Sequence, residues 1–232
     1  MIRTILKATA VAALTVGTAS VAAAQTGLLN VAGQAQIRSQ APTADAPLFI
    51  DIFAGGATFP PTVPGFGTPG TVYAGTTTGI FTSIMGGMAG VMNDLTITPT
   101  SIATTPGGPL LTIGAYTFTL GPVVQGTGGT VNFGPIVLED RATGAVADLL
   151  VRGNVTGGAC VPFCTYNGVL TAQFAGQTAA QVFNQINSGG TPTVTFSANF
   201  NATVIPEPST YALLATGISA LGLVARRRRQ QA

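Results

Sequence analysis

The chain has no histidine and no tryptophan, its single lysine is Lys7, and charged residues make up 7% of its 232 positions. Without histidine the commonest general base and metal ligand is missing, and Ser-His-Asp or Cys-His catalysis is excluded outright. Cysteine is nearly absent too: Cys160 and Cys164 stand in the segment Cys160-Val161-Pro162-Phe163-Cys164. A C-x-x-x-C metal site would need two further ligands, which this composition does not supply. In an oxidising compartment the pair is expected to close a small local disulfide that pins one loop. Positive charge is scarce between the ends. The formal +2 is carried by the termini, and from Gln25 to Ile205 three arginines face six carboxylates, a net −3. No basic patch remains to bind nucleic acid.

The carboxylates do not form an evident catalytic pair either. A glycosidase needs two facing each other at a set separation. Glu139 and Asp140 are adjacent, beside Arg141 in an expected hairpin loop, which suits solvated turn residues. Asp45, Asp51 and Asp94 lack the spacing of a calcium loop. No catalytic residue, metal or cofactor is expected from this sequence.

The two ends carry the clearest signals. At the N-terminus, Arg3 and Lys7 precede an apolar stretch from Ala8 to Val16, and Ala22-Ala23-Ala24 offers a cleavage site between Ala24 and Gln25. That layout is a secretory signal peptide over residues 1–24, handled by Sec export machinery and signal peptidase. At the C-terminus, Pro206-Glu207-Pro208 precedes an apolar run from Tyr211 to Ala225, then Arg226, Arg227, Arg228 and Arg229. Fifteen residues make roughly 22 Å of helix, short of the ~30 Å hydrocarbon core. The run nevertheless lacks a polar face, and four arginines suit a cytoplasmic leaflet, so a C-terminal transmembrane helix in the inner membrane is expected. The prolines stop it from extending upstream.

Residues 205–232 resemble the PEP-CTERM sorting signal of Gram-negative bacteria in Pro206, Glu207, Pro208, the apolar run and the basic tail. The resemblance implies processing by an exosortase, a membrane transpeptidase-like enzyme. It also implies an exported protein, anchored first with its body on the periplasmic side and bound for the cell surface or extracellular matrix. Association with extracellular polysaccharide and biofilm is part of the same implication.

Residues 25–204 form one expected domain. Glycine, threonine and valine are abundant, while glutamate and lysine, good helix formers, are nearly absent, which is a β-protein composition. Period-two alternation is clearest where Val194, Phe196, Ala198, Phe200, Ala202 and Val204 alternate with hydroxyl and amide residues. Further strands are expected over Leu29–Ile37, Leu48–Phe53, Leu95–Thr98, Leu111–Leu120, Val131–Leu138, Ala145–Val151 and Val169–Phe174. One stretch has helical spacing: Ala179, Val182, Phe183 and Ile186, with Thr178 as N-cap and Gly189-Gly190 as stop. Eight or so strands and one short helix point to a β-sandwich, jelly-roll-like. The stretch Tyr166–Ala175, the helix and the final strand also resemble the C-terminal half of many PEP-CTERM proteins. The reading is an exported, non-enzymatic all-β surface or matrix protein. Its rival is a carbohydrate-binding module using Tyr73, Tyr116 and Tyr166 as platforms.

Overall fold

Where hydroxyl or amide and apolar residues alternate without interruption, from Thr193 to Val204, the chain forms a strand of twelve residues. The computed structural model describes residues 25–39, 46–53, 68–105, 107–205, 216–222, 226 and 228. Gln25–Val204 is a compact unit with its own core. Its elements are β1 (Thr26–Ser39), β2 (Leu48–Phe53), β3 (Gly70–Gly79), β4 (Ala89–Met92), β5 (Asp94–Ile97), β6 (Ile102–Thr105) and β7 (Leu111–Ile113). After these come β8 (Tyr116–Leu120), β9 (Val131–Phe133), β10 (Ile136–Arg141), β11 (Gly144–Gly157), β12 (Cys160–Ala175), α1 (Ala179–Asn187) and β13 (Thr193–Val204).

Eight strands close into a barrel. Neighbours run β13-β12-β11-β8-β7-β4-β3-β1, and β1 then pairs antiparallel with β13 from Thr26↔Thr203 to Gln36↔Thr193. The expected β-sandwich is therefore wrong. Alternation shows that one face of each strand is buried, but a sandwich and a barrel share that pattern. What separates them is whether the edge strands meet, and here the first and last strands of the domain do.

The four longest strands belong to two lobes at once. β1 pairs with β3 through Gly27–Ala32, then with β2 through Gln34–Ser39. β11 likewise pairs with β8 through Gly153–Thr156 and with β10 through Gly144–Leu149. Half of the β11-β12-β13-β1 sheet thus completes the barrel. The other half continues into an open lobe, flanked by β2-β5-β6 on one side and β10-β9 on the other.

Two glycines let the shared strands curve around large rings. Gly33 lies opposite Phe196 in register, and a Cβ there would sit 2.9 Å from its ring. Gly168 lies opposite Phe200, where the corresponding approach is 2.7 Å. Each phenylalanine covers a bare stretch of backbone, a known way to stabilise glycine within curved sheets.

The barrel interior is aromatic. Phe118 packs against Phe81, Tyr166 and Phe200 with ring centroids 5.7, 5.3 and 5.1 Å apart, and Tyr116 sits edge-on to Phe81 at 5.0 Å. β13 buries Phe200 in the barrel and Phe196 in the adjoining lobe, with Ala198 between them, while Thr195, Ser197 and Asn199 face out. The open lobe mixes aliphatic side chains with Phe133, Phe174 and Phe183 and is covered by α1, which buries Ala179, Val182 and Ile186. Thr178 caps that helix in a capping box with Gln181.

The expected transmembrane helix over Tyr211–Ala225 is also corrected. Among the described residues of the tail, 216–222, 226 and 228 are helical. No helix among the described residues is long and apolar enough to cross a membrane.

Candidate functional site

One end of the barrel gathers the features that bear on export and sorting. Strand directions place the start of β1, the end of β13, the β3–β4 loop, the β7–β8 turn and the β11–β12 hairpin tip there together. The Val204 amide donates to the Gln25 carbonyl at 2.9 Å. The first residue after the expected signal cleavage and the last residue of β13, two before Pro206, are thus hydrogen-bonded neighbours. Because β1 and β13 are the strands that close the ring, the domain both begins and ends at its seam.

The loops of this end are held in place. The Tyr116 hydroxyl, otherwise buried, donates to the Ile80 carbonyl of the β3–β4 loop, and the Ala159 amide of the hairpin lies 3.4 Å from the same oxygen. Thr77 Oγ1 donates to the Ile84 carbonyl at 2.9 Å. Cys160 and Cys164 are joined in a disulfide with a Cα–Cα distance of 5.1 Å, and both are fully buried. Cys164 pairs with Val204, so this bond braces the strand next to the chain exit. Between the two cysteines, Val161 is 69% exposed and Phe163 36%; Met85 of the neighbouring loop is 71% exposed. No sequence pattern singled out Met85, Val161 and Phe163 together, because only the strand order of the barrel puts the β3–β4 loop and the start of β12 at the same end.

The other sequence-derived residues fall as follows. Gln25 is exposed at the barrel rim, and Arg226 and Arg228 are helical and exposed. Ala24, Pro206, Glu207, Pro208, Tyr211, Ala225, Arg227 and Arg229 lie outside the described residues, as do the signal peptide and Asp45.

The body's charged groups are occupied with the scaffold. Arg141 pairs with Glu139 at the β10–β11 hairpin. An Asp140 oxygen accepts from the Ala179 amide at 2.6 Å, adding a carboxylate to the N-terminus of α1, where the helix dipole favours it. Asp148 accepts from Thr171 at 2.6 Å, Arg152 donates to the Pro122 carbonyl at 2.9 Å, and buried Asp94 accepts from the Ile52 amide at 2.8 Å. Burial pushes the Asp51 carboxyl above its usual range, partly opposed by Arg38. Of the tyrosines proposed as sugar platforms, Tyr116 and Tyr166 are inside the barrel, and Tyr73 is exposed on its wall. Burial raises the Tyr166 phenol as well.

A cavity of about 50 Å³ lies in the open lobe beneath α1, lined entirely by apolar side chains including Phe133, Val182, Phe183 and Phe196. It is smaller than the ~150 Å³ apolar void that admits benzene. Such a space is a packing gap between sheet and helix.

No curated protein and no solved structure matches the chain. A family model for the PEP-CTERM protein-sorting motif matches residues 204–229, beginning at the final residue of β13. The chain therefore carries a PEP-CTERM sorting signal and is an exported substrate of exosortase-dependent, membrane-associated sorting in a Gram-negative bacterium.

Proposed function

We propose that the barrel is a non-enzymatic structural module of the cell surface or extracellular matrix, held in the envelope through its sorting tail and associated with extracellular polysaccharide after processing. The observation that carries this reading is the seam: the domain begins at Gln25 and ends at Val204 side by side, and the sorting signal starts where the last strand stops. A barrel whose both ends leave at one pole can be released or retained by a cut in the tail without disturbing its fold. The engagement of its carboxylates and arginines in hairpin, helix-cap and strand contacts supports a scaffold role.

Expression of the tagged full chain with and without an exosortase tests the reading. With the enzyme, a shortened form should collect in the extracellular fraction and co-sediment with polysaccharide. Replacing Pro206, Glu207 and Pro208 with alanine should leave the chain full-length and envelope-associated. Identical size and distribution of both proteins in enzyme-containing cells would sink the proposal.

A further inference from the structure

The exit end of the barrel differs from the rest of the body in charge. The segments that build it, residues 25–32, 77–88, 112–118, 154–167 and 197–205, contain no charged residue. Every described charge of the body lies on other segments, from Arg38 and Asp51 through Asp94 and Glu139 to Arg152. Bringing a carboxylate toward a hydrocarbon phase is strongly unfavourable unless it is neutralised, so a body of net −3 can approach a bilayer closely only by a face that lacks charge. This face lacks it. It also carries exposed Met85 on the hydrogen-bonded β3–β4 loop, and exposed Val161 and Phe163 at the start of β12 between the two disulfide-bonded cysteines. Exposed apolar groups concentrated at one charge-free end suit an interaction surface.

We infer that this rim seats on the lipid surface of the membrane where sorting takes place, with Met85, Val161 and Phe163 entering the interfacial zone. The occupant follows from chain length. Sorting of this signal is membrane-associated, and Pro206 lies two residues beyond Val204, at most about 7 Å of extended chain. With so short a connection, a barrel whose motif is processed at the membrane faces it with the pole from which the chain exits. Threonine, serine and asparagine around the three apolar residues suit the headgroup region, where Tyr116 and the disulfide keep the tips from folding away. The inference rests on the membrane-associated sorting reading and adds which surface of the body meets lipid.

The absence of tryptophan makes a direct test practical, because any introduced tryptophan reports alone. The full chain would be prepared with Phe163→Trp, Met85→Trp, Val91→Trp or Leu221→Trp and mixed with phosphatidylethanolamine/phosphatidylglycerol vesicles containing brominated acyl chains. Val91 is half-exposed on the barrel wall and Leu221 lies in the tail. The Phe163→Trp and Met85→Trp proteins should shift to the blue and lose most of their emission, while Val91→Trp should be quenched little. Quenching of Leu221→Trp without quenching of either rim reporter would overturn the docking and leave the tail's membrane association intact. Quenching of no reporter would overturn both. Equal quenching of the rim and wall reporters would show a barrel lying without preferred orientation, which also refutes the seat. Because no enzyme is present in the vesicles, a rim that meets exosortase instead of lipid gives the first negative result.

Discussion

The barrel and the open lobe are built on the same four strands, yet they solve the edge problem differently. In the barrel the chain closes on itself, β1 meets β13, and no strand edge is left in the ring. In the lobe β6 and β9 remain as ends of the sheet, and α1 is laid across the concave side. Closure permits a core of interlocking aromatic rings; a helix set against a sheet leaves a gap of about 50 Å³. Ring closure satisfies every backbone group by geometry, whereas a cap depends on a few side chains at one helix. The barrel should therefore set global stability, and the lobe should open first.

The largest test compares two phenylalanines on one strand. Phe200 is fully buried between Phe118 and Tyr166 and covers Gly168; Phe196 lines the cavity and covers Gly33. Truncation of a buried phenylalanine typically costs about 3–5 kcal/mol. Phe200→Ala should fall at the upper end and Phe196→Ala at the lower, since a side chain beside an existing void has fewer contacts to lose. Thr195→Ala on the outer face should change stability by about 0.5 kcal/mol or less. Denaturant titration of the three variants checks the order, and a larger loss at Phe196 would reverse the comparison.

The disulfide comes next. It closes a loop of five residues, which in the chain-entropy picture stabilises by about 2 kcal/mol. Replacing both cysteines with alanine should lower the melting temperature of the whole unit, because the bond sits beside Val204 at the ring seam. Hydrogen exchange should rise most in β12 and β13 near that seam. Exchange rising first at α1 instead would mean that the lobe, and not the barrel, governs stability.

Smaller again is the helix cap. Thr178→Ala removes the acceptor of the Gln181 amide and should cost about 1 kcal/mol. The change should appear as faster exchange of α1 amides, with barrel amides nearly unaffected. Equal acceleration in both lobes would show that they unfold as one unit.

The same contrast explains what could be read from the sequence. The final strand, its two faces and the capped helix were legible because each is written in neighbouring residues: period two from Thr193 to Val204, helical spacing from Ala179 to Ile186. Barrel closure was not, since it depends on Thr26 finding Thr203 across nearly the whole domain, and a sandwich would bury the same faces. Leu111–Leu120 and Val131–Leu138 read as single strands, yet each is a hairpin, turning at Gly114 and Gly134 with positive φ. A glycine inside an apolar run is equally compatible with a bulge or a turn. β3, β4 and β6 escaped because their glycine, threonine and alanine give little apolar periodicity. The sorting motif was legible for the opposite reason: it is a local pattern of residue types, and the family match covers it. The apolar run behind it suggested a spanning helix on hydropathy alone, and no helix among the described residues is long and apolar enough to cross a membrane.

The smallest expected effect probes electrostatics in the open lobe. Asp51 lies on β2, on the face opposite the cavity-lining Ile50 and Ile52, and it is buried. Desolvation raises its carboxyl above the usual 3.8, and the positive charge of Arg38 only partly offsets this. The folded state therefore holds the proton more tightly than the unfolded chain. Stability should rise as pH falls from neutral through the raised folded value, and the contribution should level off below the unfolded value. This is the reverse of the usual carboxylate in an ion pair. Asp51→Asn mimics the neutral form, so its melting temperature should depend less on pH between neutrality and about pH 4. The gap from the wild type should change in the variant's favour toward neutral pH, even though Arg38 loses a partner. The change should also be confined to the lobe, with exchange in β2 altered and exchange in the aromatic ring unchanged. A wild-type protein whose stability falls on acidification, with Asp51→Asn removing that fall, would mean that Arg38 outweighs desolvation and that the lobe is held by an ion pair.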